Sequence, residues 1–124
     1  MNGLFGGVID TLRTASAFAI RRHEILAENV ANAETPGFNG HDLTFAHELS
    51  LAQLVNSRPD PKHGETLDLR IVDQPDGPAK LDGNNVDMDK QMVRVAENSM
   101  YHNVVVHLLN HRFNAMKAAI NGRT

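Results

Sequence analysis

The stretch Ala27-Glu28-Asn29-Val30-Ala31-Asn32-Ala33-Glu34-Thr35-Pro36-Gly37-Phe38 decides the fold. Its first half continues an apolar stripe that begins far upstream, and its second half stops that stripe. Pro36 disfavours helical angles at Thr35. Pro-Gly suits the two central positions of a type II turn. A long helix is therefore expected over residues 1–35, with Thr35, Pro36, Gly37 and Phe38 as the turn that ends it. Upstream, alternate steps of three and four residues link Phe5, Val8, Leu12, Ala15, Ala19, Arg22, Leu26, Asn29 and Ala33. Ile9, Phe18, Ile25 and Val30 widen the stripe. The mean step is that of a coiled-coil seam.

The other terminus repeats the pattern. All five prolines lie between Pro36 and Pro78, so the last part of the chain is free of helix breakers. There the same steps link Met88, Met92, Val95, Ser99, His102, Val106, Leu109, Phe113, Met116 and Ile120. Asn85, Val86, Asp87 and Asp89 read as the start of this helix over residues 86–124. An Asn or Asp there caps free backbone N–H groups, and the two acids favour the positive end of the helix dipole. Gly122 reads as its stop. Each helix would span roughly 50 Å at 1.5 Å per residue. The expected fold is all-α: two long terminal helices pairing as an antiparallel coiled-coil-like hairpin, with an irregular middle over residues 36–85. Leu43, Ala46, Leu49 and Ala52 or Gln53 suggest a short helix at 42–55 in that middle. Leu67, Leu69 and Ile71 alternate with Asp68, Arg70 and Val72 and suggest a short β element. Gln74 to Asn84 reads as an exposed turn. The three parts together make one domain.

Composition narrows the function. The chain has 124 residues, which suits a single domain. It has no cysteine, which excludes disulfide scaffolds, thiolate metal sites and thiol nucleophiles. The net charge of −3 argues against general nucleic-acid binding. No apolar run reaches the roughly 18 residues of a membrane span, and no cleaved signal is expected at the N-terminus. Charge is unevenly placed. Residues 36–85 hold four Lys and Arg against eight Asp and Glu, while residues 86–124 hold five against three. Aromatic residues make up only 5%, with no tryptophan. Such a chain has few large rings to bury in a core of its own.

Few constellations suggest chemistry. His107 and His111 share a helix face and could reach one ion, but no spacing selects a third ligand. They read better as surface histidines flanking the seam. His102 takes a seam position, as a polar register device or a site where packing varies with protonation. Paired acids such as Asp73 with Asp76 read as solvated loop charge. No catalytic, cofactor-binding or metal-ligating residue is assigned. Asn29 and Asn32 are more informative. They interrupt an alanine-rich seam, where an asparagine sets register at a cost in stability. On this reading, Asn29→Leu would strengthen pairing and relax register. The residues expected to carry packing and assembly are Leu12, Leu26, Asn29, Asn32, Met92, Val95, Val106, Leu109, Phe113 and Met116. Ile9, Phe18, Ile25, Val30, Met100 and Val104 are expected on flanks left available to neighbours.

The run from Ala27 to Phe38 resembles the N-terminal signature of bacterial flagellar rod and hook proteins, an Asn-x-Ala-Asn-x-x-Thr-x-Gly followed by Tyr or Phe. Asn85-Val86-Asp87-Met88-Asp89-Lys90-Gln91-Met92 resembles that family's start of the C-terminal helix, and the following Asn98, Ser99 and Tyr101 agree with it. The short length resembles a rod subunit without large inserted domains. The resemblance implies a structural subunit of the proximal basal-body rod, a helical drive shaft for motility that crosses the periplasm. It implies export through the flagellar type III apparatus without a cleaved signal. The implied partners are other flagellar rod subunits, the rod–ring adaptor at the rod base, the MS ring and the type III export gate. No cofactor, nucleic acid or small-molecule substrate is implied. Two other readings compete: a stand-alone coiled-coil adaptor or regulator, and a metalloenzyme using His107 and His111.

Overall fold

The computed structural model describes residues 2–45 and 69–122. Helix α1 covers Asn2–Ala31, strand β1 His41–Phe45, strand β2 Leu69–Asp73 and helix α2 Met88–Asn121. The two helices run antiparallel along each other. Two small apolar clusters lie along their contact. Leu12 and Ala15 of α1 meet Val105 of α2, with Val8, Leu108 and Leu109 beside them. Nearer the turn, Phe18 and Ile25 of α1 meet Leu43 of β1, with Leu69 against them. Tyr101 touches both clusters, and its ring stands edge-on to Phe18 with centroids 6.2 Å apart. The hairpin expected from the two stripes is present, and a small antiparallel ribbon is added to its side.

In the ribbon, β1 pairs with β2 from His41 opposite Asp73 to Phe45 opposite Leu69. This places strand where the start of the 42–55 helix was anticipated. The rest of that span, and Leu67, lie outside the described residues. The reason for the strand is visible in the hydrogen bonds: Asn29 of α1 holds the backbone of His41 on both its N–H and its C=O. Arg22 of α1 grips Asp42 with two parallel bonds of 2.8 and 2.9 Å. A strand fastened at successive residues cannot wind into a helix. The β2 reading is met in part. Leu69 is half-buried, but Ile71 stands 57% exposed and Val72 is turned partly inward instead.

The turn after α1 forms as read. Phe38 N–H donates to Thr35 C=O at 3.3 Å, and Gly37 takes φ +72°, the left-handed value that position requires. Gly83, at φ +82°, lies against it. A Cβ on Gly83 would stand 3.4 Å from the Gly37 Cα, so two glycines let the two turns pack back to back. At the other boundary Asp87 caps α2, its carboxylate accepting from the N–H of Asp89 and of Lys90.

Along α2 the seam is displaced from the expected one. Val95, His102, Leu109 and Met116 do turn inward and are half-buried. The alternate rungs lie one residue earlier than the apolar pattern placed them. Gln91, Asn98 and Val105 are the buried residues of α2, seven apart. Met92 and Phe113 stand 56% and 48% exposed, and Val106 is half-buried. The displacement has a physical cause: two of the three buried rungs are amides, which a reading by hydrophobicity passes over. The flanks change likewise. Ile9, Phe18 and Ile25 are buried and Val30 half-buried, whereas Met100 and Val104 are exposed as expected.

Candidate functional site

At the turn end of the hairpin, polar groups from α1, β1, α2 and the loop before α2 converge. Asn29 is fully buried. Its Oδ1 accepts from His41 N–H at 3.0 Å, and its Nδ2 donates to His41 C=O at 2.6 Å and to Gln91 Oε1 at 3.1 Å. Gln91, also fully buried, donates from Nε2 to Asp76 Oδ2 at 2.8 Å. That oxygen accepts as well from Asp87 N–H at 2.7 Å. Arg94 Nη1 lies 2.7 Å from Asp76 Oδ1, and Lys90 Nζ donates to the Asp76 carbonyl. The chain of contacts runs without a break from β1 through α1 and α2 to the loop before α2. Asp76 is therefore no solvated loop charge: its side chain is 1% exposed and neutralised by Arg94. A buried carboxylate without a partner would cost several kcal/mol.

A second set of amides fastens the loop to the end of α1. The last carbonyls of a helix lack partners within it. Asn84, fully buried, donates from Nδ2 to the carbonyls of Asn32 and Thr35 at 2.9 and 2.8 Å. Its Oδ1 accepts from Val86 N–H. Gly37 N–H donates to Asp82 C=O, and Asn85 N–H to Phe38 C=O. Gly40 N–H donates to Asn85 Oδ1, and a Cβ on Gly40 would come within 3.1 Å of the Gln74 carbonyl. The loop expected to be an exposed turn is thus a C-terminal cap for one helix and an N-terminal brace for the other.

The expected residues fall in three groups. Leu12, Leu26, Asn29 and Val86 are buried within the hairpin. Asn32, Phe38 and Asn85 are half-buried in the junction, with Thr35, Pro36, Gly37, Asp87 and Asp89 exposed around it. Asn32 itself donates to Glu28 C=O and accepts from the Thr35 hydroxyl. Sequence reasoning missed Asp76, Asn84, Gln91 and Asn98. Their signal was available as heptad spacing of amides and an Asp following a Pro, but polarity hid it. Asn98 donates to the Ala19 carbonyl at 2.8 Å and ties the helices midway.

Electrostatics follow these contacts. The paired Asp42 carboxylate, by hydrogen bond and then by charge, holds the Arg22 guanidinium above its already high ordinary pKa against the effect of burial. Burial pushes the Tyr101 phenol up. His102 Nε2 sits 3.3 Å from Ser16 Oγ across the seam, while His107 and His111 are exposed. Among the described residues no three metal-ligating side chains come together. No described helix is long and apolar enough to cross a membrane.

The outer face of α2 also presents apolar side chains. Val93, Met100 and Val104 are 58%, 69% and 47% exposed, and their spacing puts them on one face, opposite the seam. A helix apolar on two opposite faces suits packing between two neighbours. The fold and the junction thus define a class: an elongated α-hairpin structural protein, braced at its turn and apolar on its outer side. No protein-family model matches the chain. The chain is 30% identical over 125 residues to the flagellar basal body rod protein FlgB of Bacillus subtilis, covering 96% of this chain and 97% of that one. It is 33% identical over 120 residues to FlgB of Salmonella typhimurium, covering 82% and 84%. It is 32% identical over 114 residues to FlgB of Escherichia coli, covering 77% and 80%. The chain belongs to the family of flagellar basal body rod proteins FlgB.

Proposed function

We propose that this chain is a structural subunit of the flagellar basal-body rod and works by packing, not by catalysis. The observation that carries the reading is the likeness to FlgB proteins over nearly the whole chain. The apolar stripe on the outer face of α2 supports it, because Val93, Met100 and Val104 are left about half or more exposed by the hairpin. Burying such a stripe against neighbouring subunits contributes about 25 cal/mol per Å² of apolar area. Contacts between copies that do not close on themselves build a helical array. The adaptor reading has no comparable support.

In this role the terminal helices carry the subunit–subunit contacts. Met92, Val106 and Phe113 act there together with the outer stripe, while Leu12, Leu26, Asn29, Val95, Leu109 and Met116 hold the hairpin. The partners are other rod subunits and, at the base, the rod–ring adaptor, the MS ring and the type III export gate. The subunit reaches the rod by that export route, and the rod crosses the periplasm. Mass spectrometry and immunogold labelling of purified basal bodies test the reading. The chain should be present in the rod, and deleting its gene should abolish rods and swimming. Basal bodies that lack the chain, or full motility after deletion, would overturn it.

A further inference from the structure

Asn39 and Gly40 form a pair prone to spontaneous loss of the asparagine amide. Asparagine is a thermolabile residue, and most so before glycine, whose backbone nitrogen reaches the preceding carboxamide with little crowding. Two other such pairs, Asn2-Gly3 and Asn121-Gly122, lie near the ends of the chain. Asn39-Gly40 sits in the junction, and the fold requires its glycine. Gly40 is buried, and a Cβ on it would come within 3.1 Å of the Gln74 carbonyl oxygen and 3.4 Å of Val86 Cγ2. Gly40 C=O accepts from Gln74 N–H at 2.8 Å, which fixes that close approach. A bulkier residue after Asn39 would slow the loss, but it has no room here.

Asn85 engages both groups that would react. Its Oδ1 accepts from Gly40 N–H at 2.8 Å, and its Nδ2 donates to Asn39 Oδ1 at 2.9 Å. The attacking nitrogen has to give up its proton first, and a buried N–H committed to a hydrogen bond keeps it. The carboxamide that would be attacked is fixed by the same side chain. We propose that Asn39 is a deamidation site that the folded junction keeps closed, with Asn85 as its guard. Before the junction forms, or when it opens, the Gly40 nitrogen loses its proton to water and bonds to Asn39 Cγ. The Cγ–Nδ2 bond breaks, and the amide nitrogen takes up a proton and leaves as ammonia. Water then opens the cyclic imide at either carbonyl, giving aspartate or isoaspartate. Isoaspartate adds a methylene to the backbone between Phe38 C=O and Gly40 N–H, both of which bond Asn85. A chain converted in this way cannot close the junction in register.

Peptide mass spectrometry of the full-length chain, aged in warm and mildly alkaline buffer, tests the proposal, with isoaspartate read by an isoaspartyl methyltransferase. In the folded wild type Asn39 should convert at least about tenfold more slowly than in the same chain in urea, because its hydrogen bonds to Asn85 have to open first. Asn85→Ala should speed conversion at Asn39 by about tenfold in buffer and leave conversion at Asn121 unchanged. Asn85→Asp keeps the acceptor for Gly40 N–H and should leave Asn39 slow. Circular dichroism establishes that each variant is folded. Should Asn85→Ala fail to fold, wild type alone carries the test: at rising sub-denaturing urea, conversion at Asn39 should follow hydrogen exchange at the Gly40 amide. Chains converted in urea and returned to buffer should unfold at lower urea than intact chains. Conversion at Asn39 as fast in folded wild type as in urea, a rate indifferent to Asn85→Ala, or a rate that ignores Gly40 exchange would overturn the proposal. So would Asn85→Asp converting as fast as Asn85→Ala, or converted chains as stable as intact ones. The composition of basal bodies tests the rod assignment separately, so neither result bears on it.

Discussion

Asn29 has two consequences that a seam position alone would not give it. Its amide satisfies both backbone groups of His41 and still reaches Gln91. A leucine there would add apolar surface but leave a buried N–H, a buried C=O and one side of Gln91 without partners. Each unsatisfied group costs about 1–3 kcal/mol, which outweighs the gain of one aliphatic contact. The expectation that Asn29→Leu strengthens the pairing is therefore reversed: it should destabilise the fold by about 3 kcal/mol, measured by urea unfolding. A variant as stable as wild type would show that the β1 attachment carries no energy. Asp76 gives a second case. Asp76→Asn keeps the shape but turns an amide N–H₂ toward donors and removes the charge opposite Arg94. A loss of about 3 kcal/mol is expected. Changing Arg94→Met in the same chain should recover part of it, because the stranded cation is then gone. A double variant less stable than Asp76→Asn would show that Arg94 does not depend on Asp76.

At the level of elements, α1 was largely legible in the sequence and α2 was legible only in every second rung. In α1 the inward residues Leu12, Ala15, Ala19 and Leu26 are apolar, so burial and hydrophobicity agree. In α2 the buried rungs Gln91 and Asn98 are amides, and the apolar Met92, Val93 and Met100 face out. A pattern read from hydrophobicity follows the methionines and slips by one residue. The turn Thr35 to Phe38 was readable because Pro and Gly fix local angles. The role of Asn84 was not, because its partners lie about fifty residues away in the chain. The place where the elements meet can be followed by one probe. Tyr101 is the chain's single tyrosine and there is no tryptophan, so phenolate absorbance reports that site alone. Burial raises its pKa above the ordinary 10.0. The fold therefore favours the neutral phenol. Its contribution is complete below about pH 10 and is lost as pH rises through the higher folded-state value. Alkaline titration should show a midpoint above 10 that returns to about 10 in urea. Tyr101→Phe should lose less stability than wild type between neutral and strongly alkaline pH. An unshifted midpoint in the folded chain would mean that Tyr101 is not packed between the two clusters.

Over the whole molecule, stabilising contacts are distributed unequally along one axis. The turn end holds the two glycine turns, the Asp76 network, the Asn84 cap and the Arg22–Asp42 pair. The far half of α2 has one fully buried side chain, Val105, and beyond it only partly buried ones. Helical hydrogen bonds alone hold an isolated helix weakly in water, so protection from exchange must come from tertiary burial. In the dilute subunit, amide hydrogen exchange along α2 should accelerate from Gln91 toward Ile120, although the helix itself is continuous. Residues around Gln91 and Asn98 should exchange through global unfolding and those after Phe113 through local fraying. Incorporation into a rod would cover Phe113, Ile120 and the outer stripe, and should remove the gradient. A subunit that orders its far end only against neighbours meets that ordering cost on assembly, which disfavours growth before the subunit reaches the rod. Uniform protection along α2 in the monomer would refute this link between the one-sided brace and controlled assembly. A gradient that persists unchanged in assembled rods would place the subunit contacts elsewhere on the hairpin.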